Sequence, residues 1–84
     1  YPNPFNPITS LQLSMSKTES GQINILDILG REIAVIHAGT LVPGNYTFSW
    51  NGKNKFGNSV GSGTYFIAAK YGNKSQFRKI LLIK

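Results

Sequence analysis

The regular alternation of apolar and polar residues is the feature that most restricts how this chain can fold. Leu11, Leu13 and Met15 alternate with polar residues, and the same spacing recurs at Ile23 and Ile25 and through GNYTFSW. In a strand, successive side chains point to opposite faces, so apolar residues two positions apart share one face, whereas an apolar helix face needs spacings of three and four. The chain therefore predicts strands throughout and no substantial helix.

The segments between these runs are rich in Gly, Asn and Pro, as in GTLVPGN, NGKNKFGNSVGSG and YGNKS. These residues supply the positive or fixed φ angles that tight turns require. Turn signals about every 8–12 residues predict an antiparallel sandwich or a small barrel of six or seven short strands. The Asn51-Gly52 pair predicts a tight hairpin. The runs GTYFIAAKY and FRKILLI are apolar at most positions, which predicts central strands covered on both faces.

The length of 84 residues fits one domain with one hydrophobic core. Prolines at positions 2, 4 and 7 bias residues 1–7 toward an extended lead-in. We therefore divide the chain into a proline-rich lead-in, residues 1–7, and a sandwich domain, residues 8–84. The absence of cysteine excludes disulfides and thiolate sites. No stretch approaches the roughly 20 apolar residues of a transmembrane helix.

The net charge of +6 is distributed unevenly along the sequence. Residues 53–84 contain seven Lys or Arg and no acid, whereas residues 1–52 contain two Lys or Arg and three acids. A one-sided positive field favours anionic partners, and salt weakens the attraction.

The sequence offers few groups for catalysis, since it has three acids, one His and no Cys. We expect Asp27 to bond to the backbone of a turn at Gly30, and His37 to be an edge or packing residue. Neither an ordered catalytic signature nor a metal-ligand cluster is present, so we predict no enzyme, no metal and no cofactor. The aromatics of the basic half superficially resemble a base-stacking platform but lack its signature, so we predict no nucleic-acid partner.

Four motifs in order along the chain, YPNPFNP, ILDILGREI, LVPGNYTFSWNGKNKFGNSVGSGTYF and RKILLIK, resemble a known family. The chain looks like the type A C-terminal sorting domain of the type IX secretion system. It is also similar to the Ig-like domain of the flagellar hook-capping protein. Both resemblances imply an all-β, Ig-like antiparallel β-sandwich of about seven short strands.

The resemblance to sorting domains implies a role in recognition. Such a domain follows a linker and an upstream cargo domain, is read in folded form by an outer-membrane translocon, and engages a shuttle protein and a surface sortase. The cargo reaches the outer cell surface or the medium through the periplasm, and anionic lipopolysaccharide is a further candidate partner. The motif positions that would be recognised are Tyr1, Pro2, Asn3, Pro4, Gly30, Arg31, Gly63, Tyr65, Lys79 and Lys84.

Other interpretations of these residues stay open at this point. Gly63 and Tyr65 also fit a bend and a core residue, and Lys79 and Lys84 also fit charges that protect the apolar run KILLIK from aggregation. An alternative function is an accessory Ig-like spacer or carbohydrate-binding module. Its stacking residues would be Tyr46, Trp50, Tyr65 and Tyr71. A structural role like that of the hook cap ranks third.

Overall fold

The computed structural model describes residues 10–83, which form six β-strands and no helix. The strands are β1 (Ser10–Met15), β2 (Glu19–Leu26), β3 (Glu32–Leu41), β4 (Gly44–Ser49), β5 (Gly63–Tyr71) and β6 (Lys74–Leu82). The predicted all-β class is confirmed, with six strands in this range where we expected about seven. The lead-in, and with it the boundary we placed after residue 7, lies outside the described residues. Within residues 10–83 there is no helix that could cross a membrane.

The strands form two antiparallel sheets. β1 and β4 make a two-stranded sheet, with Leu13 opposite Tyr46. The second sheet has four strands in the order β3-β2-β5-β6, with Ile25 opposite Ile67. Because alternate side chains of each strand point to the same face, both sheets direct one apolar face toward the other and form a sandwich.

The core lies between the two sheets and follows the predicted alternation. Ile23, Ile25 and Ile67 have no exposed surface, and Leu11 and Leu13 are nearly as buried. Burial of each such side chain stabilises the fold by roughly 1.5–3 kcal/mol. The spacing of two in the sequence therefore placed the core residues correctly.

Strand β6 differs from its prediction as a strand covered on both faces. Ile80 faces the core and is 2% exposed, but Phe77 is 63% and Leu81 50% exposed. β6 is the last strand of its sheet, and β5 is its one neighbour among residues 10–83. Its apolar composition could not distinguish an edge strand with an open outer face from a central strand.

The predicted hairpin at Asn51-Gly52 is also wrong in part. A turn does form there: Lys53 N–H donates to Asn51 Oδ1 at 3.0 Å, and the φ angle of Gly52 is +80°. However, the chain then continues as a long loop between β4 and β5 that contains a single bridge, Lys53 to Ser59. The side-chain oxygens of Asn51 and Asn54, together with backbone bonds such as Val60 N–H to Gly52 O at 3.1 Å, organise the loop.

Candidate functional site

The turn between β2 and β3 is closed by five hydrogen bonds centred on Asp27. Its Oδ1 atom accepts the backbone N–H groups of Leu29 and Arg31, each at 2.9 Å, and its Oδ2 atom accepts Arg31 Nε at 2.8 Å. Two backbone bonds add to these, from Asp27 N–H to Arg31 O at 3.0 Å and from Gly30 N–H to Asp27 O at 2.9 Å. Gly30 has a φ angle of +82°, which a residue with a Cβ rarely adopts. The prediction that Asp27 serves this turn is confirmed.

These contacts also set the charge state of Asp27. The hydrogen bond from the Arg31 backbone N–H is the largest cause that lowers the pKa of this carboxyl below its ordinary value of 3.8. Partial burial opposes that effect, while the Arg31 side chain and the Leu29 N–H add to it. The carboxylate is therefore ionised over the physiological range, the form that accepts these three hydrogen bonds.

Strong acid is expected to loosen this turn. Because the folded-state pKa of Asp27 is lower than the unfolded value near 3.8, its stabilising contribution is present above pH 3.8 and is lost as the pH falls through the lower value. The amide NMR shifts of Leu29 and Arg31 should titrate together with a midpoint below 3.8. Asp27→Asn should abolish this titration, and a midpoint at or above the ordinary value would contradict the assignment.

The same turn presents two large apolar side chains to solvent. Ile28 is 70% exposed and Leu29 is 71% exposed. The exposed Arg31 guanidinium lies beside them. Our sequence prediction did not include Ile28 or Leu29 as site residues. Their signal was an apolar pair inside a predicted turn, directly after a capping Asp.

The segment 61–65 forms the corner at the start of β5, at the same end of the sandwich. The Tyr65 hydroxyl donates to the Gly61 carbonyl at 2.7 Å, and its ring packs edge-on against Trp50 with centroids 5.0 Å apart. Gly63, between them, has a φ angle of +156°. A tyrosine that bonds back to the chain four residues earlier fixes the corner at the start of a strand, as the tyrosine corner does in Ig-like sandwiches. Gly63 and Tyr65 therefore have a structural role here.

The fold brings the two internal motifs together. Arg31 of the turn and Gly63 and Tyr65 of the corner line one open cleft, with Ile33 and Val60 among the other lining residues. Gly30 lies within the turn that forms one wall. We call this region, Asp27–Arg31 with Gly61–Tyr65, the turn end of the sandwich.

The remaining predicted site residues are not at the turn end. Lys79 lies on the outer face of β6, opposite Phe66 of β5. Tyr1, Pro2, Asn3, Pro4 and Lys84 lie outside the described residues. The turn end thus unites the four predicted positions that belong to the two internal motifs.

The aromatic residues expected for carbohydrate stacking do not form an exposed face. Trp50 is 4% and Tyr71 8% exposed, and Trp50 Nε1 donates to the Lys53 carbonyl at 2.8 Å inside the fold. Tyr46 is half-buried and stacks on Phe48 with centroids 5.7 Å apart. A stacking platform needs coplanar rings open to solvent, so this arrangement does not favour the carbohydrate interpretation.

The ionisable side chains are dispersed over the described residues. Glu32 accepts a hydrogen bond from Asn24 and lies 3.9 Å from Lys55 Nζ, and no group of three potential metal ligands occurs within residues 10–83. The His37 ring packs against Phe48 with centroids 5.5 Å apart. Its prediction as an edge or packing residue is confirmed, since β3 is also an edge strand of its sheet.

Comparison with known proteins identifies the domain type. The family model described as the FlgD Ig-like domain matches residues 8–75. The solved structure of FlgD from P. aeruginosa superimposes with a TM-score of 0.65 at 24% identity, over 92% of this chain and 61% of that one. This chain thus corresponds to about three-fifths of that FlgD chain, and the likeness is one of fold. No protein of curated function matched. Because the family model covers most of the sequence, this chain belongs to the FlgD Ig-like domain family.

Proposed function

We propose that this Ig-like module is a sorting domain of the type IX secretion kind, recognised in its folded form. In this proposal the outer-membrane translocon, a shuttle protein and a surface sortase read its exterior. A cargo domain elsewhere in the same protein is carried through the periplasm to the cell surface or the medium. Support comes from the four sequence motifs, which occur in the order found in sorting domains and span the chain.

The observation that carries the proposal is the hydrogen-bonded, apolar turn end. A signal that is read after folding needs a surface that the unfolded chain lacks. Asp27 accepts hydrogen bonds from the backbone of the turn that carries the exposed Ile28 and Leu29, and the cleft beside them joins segments that are distant in sequence. A backbone that is ordered before binding loses less entropy when a partner binds, which favours apolar side chains on such a turn as anchors.

Export of a fusion protein tests the proposal. We would join the full chain to the C-terminus of a periplasm-targeted fluorescent protein, in a bacterium that carries the type IX system. The expected result is fluorescence in the medium or on the outer surface, absent from a strain without the translocon. Accumulation of the intact fusion in the periplasm of the competent strain would refute the proposal.

A matched pair of surface variants tests the turn end. Ile28→Ser with Leu29→Ser removes the two exposed apolar side chains, and export should fall at least about tenfold if they anchor a partner. Val42→Ser is the control, since Val42 is 55% exposed in the β3–β4 connection, at the opposite end of β3. Equal export of both variants would remove the turn end from the recognition surface.

The terminal lysines need substitution, because deletion would also damage the fold. Residues 79–84 include the buried Ile80 of β6, so their removal would take a core side chain with them. Lys79→Ala with Lys84→Ala leaves the apolar residues intact. If export falls while thermal stability is unchanged, these charges take part in recognition. If instead the variant aggregates while the remaining soluble protein is exported normally, the charges protect the edge strand from aggregation.

A further inference from the structure

The outer edge of β6 carries backbone groups available for pairing. β6 ends the order β3-β2-β5-β6, and no strand of residues 10–83 lies on its other side. At nine residues, Lys74–Leu82, it is as long as β5, and its register with β5 has no bulge. A long, regular edge strand is a template for a further strand.

The hairpin geometry shows which residues offer these groups. Two residues connect Tyr71 to Lys74, so that pair exchanges both of its backbone hydrogen bonds within the hairpin. Hydrogen-bonded pairs alternate along an antiparallel ladder. The N–H and C=O groups of Ser75, Phe77, Lys79 and Leu81 therefore point away from β5, toward the open edge.

The exposed side chains of β6 differ between its two faces. Phe77 and Leu81 lie on the outer face, where Phe77 stacks on Phe66 of β5 with centroids 4.8 Å apart. Lys74 and Arg78 lie on the opposite face and are both exposed. A strand that pairs with β6 would meet Phe77, Lys79 and Leu81 on one face, and the positive charges of Lys74 and Arg78 on the other.

The charge of β6 indicates what kind of strand can pair with its open edge. Residues 74–83 hold Lys74, Arg78 and Lys79 and no acid. Two copies paired through β6 would bring these like charges together, which disfavours a dimer at this edge. The lead-in, together with residues 8 and 9, has no acidic residue to complement them.

We propose that β6 accepts an extended acidic segment of another protein as a fifth strand of the four-stranded sheet. Acidic side chains of that segment lie opposite Lys74 and Arg78, and its alternate apolar side chains lie beside Phe77 and Leu81. Backbone hydrogen bonds along β6 supply the pairing, and the charges select the partner. This surface is separate from the turn end and does not depend on the sorting proposal.

Binding of a designed peptide to the full chain tests the inference. The probe is a fluorescent peptide of nine residues, the length of β6, in which glutamate alternates with valine. We expect saturable binding by fluorescence anisotropy, together with NMR shift changes at the amides of Ser75, Phe77, Lys79 and Leu81. No binding by the full chain, or shifts confined to other strands, would overturn the proposal.

Two altered peptides separate strand pairing from charge attraction. N-methylation of alternate backbone amides keeps every charge but removes ladder donors, so binding should weaken at least about tenfold. Lysine in place of glutamate keeps the alternation and should abolish binding. Equal binding of the methylated peptide would reduce the interaction to nonspecific electrostatics and overturn the proposal.

Variants of the protein localise the charge effect. Arg78→Glu should weaken binding of the acidic peptide roughly fivefold, because one attraction becomes a repulsion. Lys55→Glu makes the same change in net charge next to β3, at the opposite edge of the sheet, and should alter binding less than about twofold. Equal effects of the two variants would contradict the assignment to β6. So would sedimentation data that show a dimer which the peptide does not dissociate.

Discussion

Trp50→Ala is expected to destabilise the domain by about 3–5 kcal/mol of unfolding free energy. The side chain is 4% exposed, packs edge-on against Tyr65 and donates Nε1–H to the Lys53 carbonyl at 2.8 Å. Its loss would leave a cavity and remove the anchor between the start of the long loop and the corner of β5. A chain of 84 residues has roughly 4–12 kcal/mol of stability in total, so this one change removes a large share of it. Urea unfolding followed by circular dichroism measures the change.

Trp50→Phe is the matched variant for this position. It keeps an aromatic ring in the core but removes the indole N–H, which leaves the Lys53 carbonyl without that donor. The expected loss lies between wild type and Trp50→Ala, with about 0.5–1.5 kcal/mol from the missing hydrogen bond alone. A loss below about 1 kcal/mol for Trp50→Ala would show that this side chain contributes little to the core.

Ile25→Ala is expected to cost about 2–5 kcal/mol of unfolding free energy. Ile25 has no exposed surface and lies at the centre of the four-stranded sheet, between Ala34 of β3 and Ile67 of β5. The buried sheet face gives the surrounding atoms little freedom to collapse into the space left behind. The urea concentration at the midpoint of unfolding should fall, while the slope of the unfolding free energy against urea concentration stays unchanged.

Val35→Ala is the control for that prediction. Val35 is 43% exposed and lies on neighbouring strand β3, opposite Asn24. Removal of a similar amount of side chain should there change stability by about 0.5 kcal/mol or less. If the two variants lost equal stability, the assignment of the core to the Ile25 face of the sheet would be wrong.

Much of the candidate site follows from local sequence, and part of it does not. The Asp27 turn could be predicted because its five hydrogen bonds join residues no more than four positions apart. The proximity of Arg31 to Tyr65 could not be predicted, because it depends on how β3 and β5 are arranged around β2. The exposure of Ile28 and Leu29 also required the fold, because sequence alone cannot show whether another layer covers a turn.

The sequence by itself determined the strand class, the alternation that selects the core, and the positions of most turns. These features depend on the backbone geometry of neighbouring residues, which each short segment specifies for itself. The tertiary structure decided that β6 lies at an edge with Phe77 exposed, and that Asn51-Gly52 begins a loop in place of a hairpin. Strand order and the covering of each sheet face depend on contacts between residues far apart in sequence, and an apolar strand has the same composition at an edge as at the centre of a sheet.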